Sequence, residues 1–235
     1  MRVKISPSWF VLAISMLSCN LAEYTPDLAA VQSLIQDAHY DSALVALEGV
    51  LERGAVKPMS LVLDKDIDQL IQLPEYRPKI RTLIKTYARE DSAIIKGEEE
   101  PGQRITVHGV LSDERTDQPL QGVLVELVQT DAKGKYFEEK SPWNPRLFAY
   151  LKTNTAGEFT IETILPGKYR DEEGEWVPVH VHFTLEKEGY RTYASEFSFE
   201  TDSTLQRNGN IDRVPVAKLI QKDEYRVLIQ MQPAE

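Results

Sequence analysis

The feature that most constrains the fold is an alternation of apolar and polar residues that recurs along the second half of the chain. The alternating segments are short, and turn-forming sequences rich in Gly, Pro, Asn and Asp separate them. Many short strands punctuated in this way are typical of an antiparallel-rich β-sandwich, so the fold is predicted to be mainly β. The predicted strands are residues 104–110, 123–129, 148–152, 158–164, 179–185, 191–199 and 225–231.

The first half of the chain shows helical periodicity instead. Apolar residues recur three and four positions apart through residues 28–35 and 43–51, which predicts a pair of antiparallel helices. The pair is similar to a tetratricopeptide-like hairpin, but no second copy follows at that period. Residues 24–97 are therefore predicted to form a small α-helical module, and residues 100–235 the β-sandwich, with a polar break between them.

Residues 1–22 have the pattern of a targeting segment. Arg2 and Lys4 precede an apolar run at residues 9–17, which is far shorter than the ~20 residues of a membrane span. Cys19 is the only cysteine and follows Ser18, a sequence that resembles a lipobox, so Cys19 is predicted to be lipidated. The alternative is plain secretion after cleavage. Both predict an exported protein, and the first predicts membrane attachment only through the lipid on Cys19.

The charge balance makes nucleic acid an unfavourable partner. The chain has 27 basic and 37 acidic residues, for a formal net charge of −10. Such an excess of negative charge is repelled by phosphate backbones and by anionic membrane surfaces.

Two histidines within the predicted strand 179–185 suggest a metal site. Residues i and i+2 of a strand point to the same face, so His180 and His182 lie together and the intervening apolar residues face the other side. Neutral imidazole is the commonest metal-binding side chain, so this strand offers two nitrogen ligands. The alternative is a pair of solvent-facing histidines on a half-buried strand.

Further sequence patterns accompany the two histidines. A predicted strand and turn end in Gly-Lys-Tyr136, a strand beginning near Asn154 contains Gly-Glu-Phe, a turn reads Pro-Gly-Lys-Tyr169, and residues 178–183 read Pro-Val-His-Val-His-Phe. In this order they resemble the intradiol ring-cleavage dioxygenases, the family of catechol 1,2- and protocatechuate 3,4-dioxygenases. The resemblance covers roughly residues 100–200, and Asn154 stands where the family has an aspartate.

The resemblance implies a non-haem Fe(III) site whose ligands are Tyr136, Tyr169, His180 and His182. Phenolates and imidazoles make a hard, anionic site suited to Fe(III). The substrates implied are a catechol-type aromatic and O2, with cleavage of the ring. Tyr169 is the ligand that the substrate would displace and that would take its proton. Family members often pair through N-terminal helices, so a homodimer through residues 24–97 is a possible assembly.

Three positions are candidates for contact with the substrate. Val177 stands where the family has an arginine that stabilises negative charge on the substrate, and Glu196 falls near the position of a glutamine. The negative charge of Glu196 would disfavour a catecholate. Arg146, Arg170 or Arg191 could supply a substitute guanidinium, and Arg170 is the nearest of them in sequence to a ligand.

Two other interpretations remain open at this stage. Carboxypeptidase-regulatory-like β-sandwich modules share the patterns at residues 119–125 and 153–169, and such a module would bind without catalysis. They lack a His-x-His strand with an upstream Gly-x-Tyr. A metal-binding protein that has lost the chemistry through Val177 and Glu196 is the other alternative.

Overall fold

The computed structural model describes residues 26–95, 99–136, 144–207 and 214–234. The predicted targeting segment 1–22, with Cys19, lies outside the described residues. No helix in the described part is long and apolar enough to span a membrane. The described helices are α1 (Pro26–Gln36), α2 (Tyr40–Glu52), α3 (Lys65–Gln72), α4 (Arg77–Tyr87) and α5 (Ser203–Arg207), with a 3-10 helix at Pro58–Leu63.

The helices of the N-terminal half pack their apolar faces together, as the periodicity predicts. Val31, Leu47 and Leu51 are fully buried between α1 and α2. Asp64 caps the N-terminus of α3, where its carboxylate accepts hydrogen bonds from the backbone N–H groups of Asp66 and Ile67 at 3.0 Å each. The prediction of helices ahead of a mainly β fold is confirmed.

The rest of the chain forms a nine-stranded sheet in the order β1-β5-β2-β9-β8-β7-β6-β3-β4. Five of the eight neighbouring pairs are antiparallel and three are parallel. The strands are β1 (Ser92–Ile94), β2 (Arg104–Asp113), β3 (Leu124–Gln129), β4 (Leu147–Lys152), β5 (Glu158–Ile164), β6 (His180–Glu186), β7 (Tyr193–Phe199), β8 (Val216–Gln221) and β9 (Glu224–Met231).

The sheet folds over on itself and is nearly closed. At the two ends of the strand order, the backbone N–H of Lys152 on β4 donates to the carbonyl oxygen of Glu90, just before β1, at 2.8 Å. The inward residues of both halves join one core, in which Ile161, Phe183 and Val227 are buried. The prediction of a mainly β, antiparallel-rich fold is confirmed. Sequence patterns missed β1 and β8.

The helical module covers part of the outer face of β3 and β6. Arg81 on α4 pairs with Glu126 of β3 at 2.8 Å, and Lys85 pairs with Glu186 of β6 at 2.7 Å. In the β3–β6 register, Leu124 is opposite Glu186 and Val128 is opposite His182. The module therefore occupies one end of this face and leaves the histidine end for the site.

The fully buried guanidinium of Arg77 joins the module to the sheet. Its Nε and Nη1 atoms donate to the carbonyl oxygens of Ile71 at 2.5 Å and Asn144 at 2.7 Å. The side-chain amide of Asn144 donates a hydrogen bond to the carbonyl oxygen of Pro74, which lies between α3 and α4, at 2.6 Å. Asn144 directly precedes the segment that leads into β4, so these contacts hold the helices against that edge of the sheet.

Candidate metal centre

The two histidines begin strand β6 and share its outer face. The side chain of His180 is 2% exposed, whereas that of His182 is 46% exposed. Nδ1 of His180 lies 2.6 Å from the carbonyl oxygen of Pro178, which can only accept, so this nitrogen carries the proton. The lone pair of His180 is therefore on Nε2, the atom at the centre of the cluster.

The two tyrosines follow turns that pack directly against each other. The backbone N–H of Gly167 donates to the carbonyl of Asp131 at 2.9 Å, and the hydroxyl of Thr130 donates to the carbonyl of Gly167 at 3.0 Å. Gly134 has a φ of +78°, and a Cβ there would lie 2.3 Å from the carbonyl oxygen of Lys168. A Cβ on Gly167 would lie 2.4 Å from the backbone nitrogen of Gly134. Only glycines permit this approach, which brings Tyr136 and Tyr169 side by side.

All four predicted ligands meet around Nε2 of His180. The hydroxyl of Tyr136 donates to this nitrogen at 2.7 Å, the hydroxyl of Tyr169 lies 3.4 Å from it, and Nε2 of His182 lies 3.3 Å from it. The rings of Tyr136 and Tyr169 stand edge to face with centroids 5.7 Å apart. Two phenol oxygens and two imidazole nitrogens thus converge on one small volume.

Glu196 adds a carboxylate to this cluster. It lies on β7 directly opposite His182, and its Oε2 is 3.7 Å both from Nε2 of His180 and from Nδ1 of His182. Within the described residues, these three form the one group of His, Cys, Asp and Glu side chains whose ligand atoms lie within 4.8 Å of one another. Sequence reasoning placed Glu196 near the substrate but did not identify it as a possible ligand.

The environment holds the phenols protonated and the exposed imidazole neutral when no cation is near. Burial raises the pKa of Tyr136 far above its usual range, and Tyr169 adds to the rise. Burial also raises the pKa of Tyr169, a hydrogen bond with Tyr136 offsets part of this, and the charge of Glu196 adds to it. Partial burial and the neighbouring His180 lower the pKa of His182, against the opposing effect of Glu196.

Asp202 connects the turn before Tyr169 to the start of β6, and sequence reasoning missed it. Its buried carboxylate accepts a hydrogen bond from the backbone N–H of Val179 at 2.7 Å and pairs with the ammonium of Lys168. Burial alone would raise the pKa of Asp202, but these donors outweigh it and lower the pKa. The sequence feature that could have indicated Asp202 is its place just before α5, where an aspartate often caps a helix. Its carboxylate accepts a hydrogen bond from the backbone N–H of Thr204 there.

The arginines considered as substitutes each have another partner. Arg170 lies over the ring of Trp176, with its guanidinium carbon 4.4 Å from the ring centroid, and donates to the carbonyl of Gly174. Arg146 forms a bidentate ion pair with Glu100, in which Nη1 and Nη2 donate to the two carboxylate oxygens at 2.6 and 2.7 Å. These guanidiniums are therefore engaged outside the cluster.

Arg191 is also engaged elsewhere: it is exposed and donates a hydrogen bond to the side chain of Gln232. Val177 is half-buried beside the site, and its backbone N–H donates to the carbonyl of Tyr169 at 3.1 Å. Its apolar side chain supplies no positive charge next to the ligands.

An open depression of about 450 Å³ borders the cluster on the side of His182. Its lining includes His182, Thr184, Ala194, Glu196 and Val214. The more exposed imidazole and the carboxylate thus face the space from which a small molecule can approach. The buried His180 and the half-buried Tyr136 do not line this depression.

Comparison with known proteins identifies the family of the chain. The sequence model of a family described as Dioxygenase matches residues 71–232, which include all four predicted ligands and Glu196. The chain belongs to the intradiol dioxygenase family. The match also includes α4, so the family region extends beyond the residues 100–200 that carry the resemblance in sequence.

Solved structures of intradiol dioxygenases share the fold. The chain is similar to 3-chlorocatechol 1,2-dioxygenase from Rhodococcus opacus 1CP, with a TM-score of 0.52 and 18% identity over 88% of this chain and 95% of that one. Catechol 1,2-dioxygenase from Pseudomonas arvilla C-1 gives a TM-score of 0.52 and 16% identity, over 93% of this chain and 89% of that one. Catechol 1,2-dioxygenase from Acinetobacter sp. ADP1 gives a TM-score of 0.51 and 16% identity, over 63% of this chain and 58% of that one, so the match spans little more than half of that enzyme.

The close approach of the two turns gives a testable prediction. Gly134→Ala and Gly174→Ala both place alanine at a positive φ, but only Gly134 has backbone within 4 Å of the added Cβ. We expect Gly134→Ala to lower the free energy of unfolding by about 1–3 kcal/mol more than Gly174→Ala and to reduce metal uptake. Denaturant titration and metal analysis measure both effects. Equal losses in the two variants would show that the contact between the turns is unimportant.

Proposed function

We propose that this member of the intradiol dioxygenase family is a non-haem Fe(III) enzyme that uses O2 to cleave the ring of a catechol-type aromatic. The observation that carries the proposal is the convergence of Tyr136, Tyr169 and His182 on Nε2 of His180, at 2.7–3.4 Å.

The donor chemistry fits ferric iron. Two phenols and two imidazoles supply hard donors, two of which become anionic on binding, and this set favours a trivalent cation. The bond from Nδ1 of His180 to Pro178 directs the lone pair of Nε2 into the cluster. Because burial raises the pKa values of both phenols, they ionise only when a cation replaces their protons. The cluster is therefore suited to a strongly Lewis-acidic metal.

Ferric iron bound here would supply the Lewis acidity and the electron-accepting capacity that make a catecholate reactive towards O2. The side chains of this chain would orient the substrate and move its protons. His180 is almost fully buried and accepts the shorter hydrogen bond, 2.7 Å, from Tyr136, which suits ligands that stay in place. The hydroxyl of Tyr169 lies farther from Nε2 of His180, at 3.4 Å, and His182 is the exposed histidine.

Tyr169 is the residue proposed to accept a proton from the substrate. A tyrosinate released from the metal is a strong base, since its protonated form has a raised pKa in this site. The turn at Gly167 and the pair formed by Lys168 and Asp202 hold its backbone in place. In the proposed reaction, the side chain of Tyr169 would leave the metal and take a proton from the substrate, while the backbone of the turn stays fixed.

The first test of this proposal is the metal itself. A tyrosinate bound to Fe(III) absorbs visible light, so the loaded protein should be red to brown. His180→Ala and His182→Ala should lose both the colour and the iron. His39→Ala is the matched control, because His39 is exposed in the helical module. A colourless wild type that takes up no iron would favour the non-catalytic module instead.

The second test concerns the base. We expect Tyr169→Phe to retain iron but to lose about 10²–10⁴-fold in turnover, the usual contribution of general acid–base catalysis. Oxygen uptake with catechols, hydroxylated benzoates and larger phenolics measures the effect, and a muconate-type product identifies ring cleavage. Tyr40→Phe in the helical module should have wild-type turnover. Iron-loaded wild type that binds catechols without consuming oxygen would identify a protein that has lost the chemistry.

Export and lipid attachment at Cys19 are also proposed, on the basis of the N-terminal sequence. Wild-type protein expressed in a bacterial host should enter the membrane fraction, and Cys19→Ser should be released as soluble or unprocessed protein. Fractionation followed by mass analysis of the N-terminus measures the outcome. Fully soluble wild type after export would contradict lipidation. A homodimer through residues 24–97 is a further proposal, which sedimentation of the mature chain tests.

A further inference from the structure

We propose that Glu196 is itself a metal ligand, so that the centre combines a two-histidine, one-carboxylate set with the two tyrosines. The inference rests on the proposed function in taking the cluster as an iron centre. It goes further by giving this chain an additional anionic donor and by assigning the role of the one acidic side chain in the cluster.

The pairing of β6 with β7 brings the carboxylate to the histidines. His182 is opposite Glu196, and His180 is opposite Ser198, in an antiparallel register. Side chains of directly opposite residues project to the same face with Cβ atoms about 4.5–5.5 Å apart. This register places the carboxylate of Glu196 beside both histidines. Val181 and Phe197, the pair between them, are buried on the other face of the sheet.

The distances suit donors that share one ion. Donor atoms about 2.0–2.2 Å from the same metal lie about 3.0–3.5 Å apart, depending on the coordination geometry. The Nε2 atoms of His180 and His182 are 3.3 Å apart, and Oε2 of Glu196 lies 3.7 Å from Nε2 of His180. One ligand atom from each of the three residues lies within 4.8 Å of the other two. Oε2 of Glu196 now faces the other ring nitrogen of His182, Nδ1, at 3.7 Å, so the carboxylate would turn towards Nε2 to share an ion with both histidines.

The hydrogen bond between Nδ1 of His180 and Pro178 turns Nε2 towards Glu196 and the rest of the cluster. Because Nδ1 donates to Pro178, Nε2 presents a lone pair towards the cluster, and the carboxylate oxygen of Glu196 presents another. Without a metal, the lone pair of Nε2 accepts the hydroxyl proton of Tyr136 at 2.7 Å, and Oε2 of Glu196, at 3.7 Å, is too far from Nε2 for a hydrogen bond. A cation that replaces the proton of Tyr136 would have Nε2 of His180 and the carboxylate of Glu196 beside it.

The same three residues define the class of ion. Two histidines and one carboxylate with open positions are the donor set of non-haem Fe(II) oxygenases. His180, His182 and Glu196 would therefore bind divalent ions such as Fe(II) or Co(II). With Fe(III), the two tyrosinates and Glu196 supply three negative charges, which balance the charge of the ion. The depression beside His182 and Glu196 leaves this side of the ion open to substrate.

The first experiment measures Co(II) binding to the chelator-treated mature chain by calorimetry and visible absorption. Glu196→Gln keeps the size of the side chain and removes its charge, and we expect it to bind Co(II) at least ~100-fold more weakly, beyond the usual cost of losing an outer-shell partner. Glu188→Gln is the matched control, since Glu188 is an exposed glutamate in the turn after β6. The control should bind Co(II) as the wild type does.

The second experiment separates a ligand from a residue that only supports the histidines. Loss of an anionic ligand makes Fe(III) a better electron acceptor, so the tyrosinate charge-transfer band of Glu196→Gln should move to longer wavelength and the reduction potential should rise. Weaker Co(II) binding together with the band shift supports the inference. Unchanged Co(II) affinity, or weaker affinity with an unchanged band, would overturn it.

The two proposals can fail separately. Wild type that shows both Glu196-dependent effects but cleaves no catechol supports Glu196 as a ligand and removes the proposed activity. Ring cleavage by wild type, with Glu196→Gln unchanged in affinity and spectrum, supports the activity and removes Glu196 as a ligand. A wild type that binds neither Co(II) nor Fe(III) would overturn both.

Discussion

The burial of one face of β6 is the constraint on which the site depends. Val181, Phe183 and Leu185 are buried in the core, and full burial of such side chains is worth about 1.5–3 kcal/mol each. A shift of register by one residue would turn them to the outer face and turn the histidines into the core instead. The apolar residues therefore fix the direction of His180 and His182 without touching a metal. The neighbouring strand β7 then sets the position of Glu196.

The site concentrates phenols whose ionised forms are unfavourable together unless a cation is present. Burial opposes ionisation of both phenols, and the charge of Glu196 opposes it further. Contacts around the site hold the tyrosines in place despite this cost. They are the ion pair of Lys168 with Asp202 and the two packed glycine turns that precede Tyr136 and Tyr169. A bound metal would replace the phenol protons and stabilise both phenolates.

Local sequence was sufficient to predict much of this structure. The period-two segments predicted seven of the nine strands, and residues 158–164 coincide with β5 as observed. Strand β1 (Ser92–Ile94) was not predicted because three residues are too few to show alternation. Strand β8 was not predicted because most of its residues are exposed, so apolar and polar residues do not alternate along it. The predicted ligands were accessible from sequence because each tyrosine follows a glycine turn and the histidines share one strand.

The sequence by itself determined the mainly β fold with helices ahead of it and the residue types that form the cluster. Periodicity and turn chemistry are properties of neighbouring residues, so they can be read locally. Only the tertiary structure decided the position of Glu196 beside the histidines, the engagement of Arg146 by Glu100 and the link from Asp202 to Lys168. These contacts join residues far apart in the chain. Strand register and the packing of turns set such distances, and no local spacing encodes them.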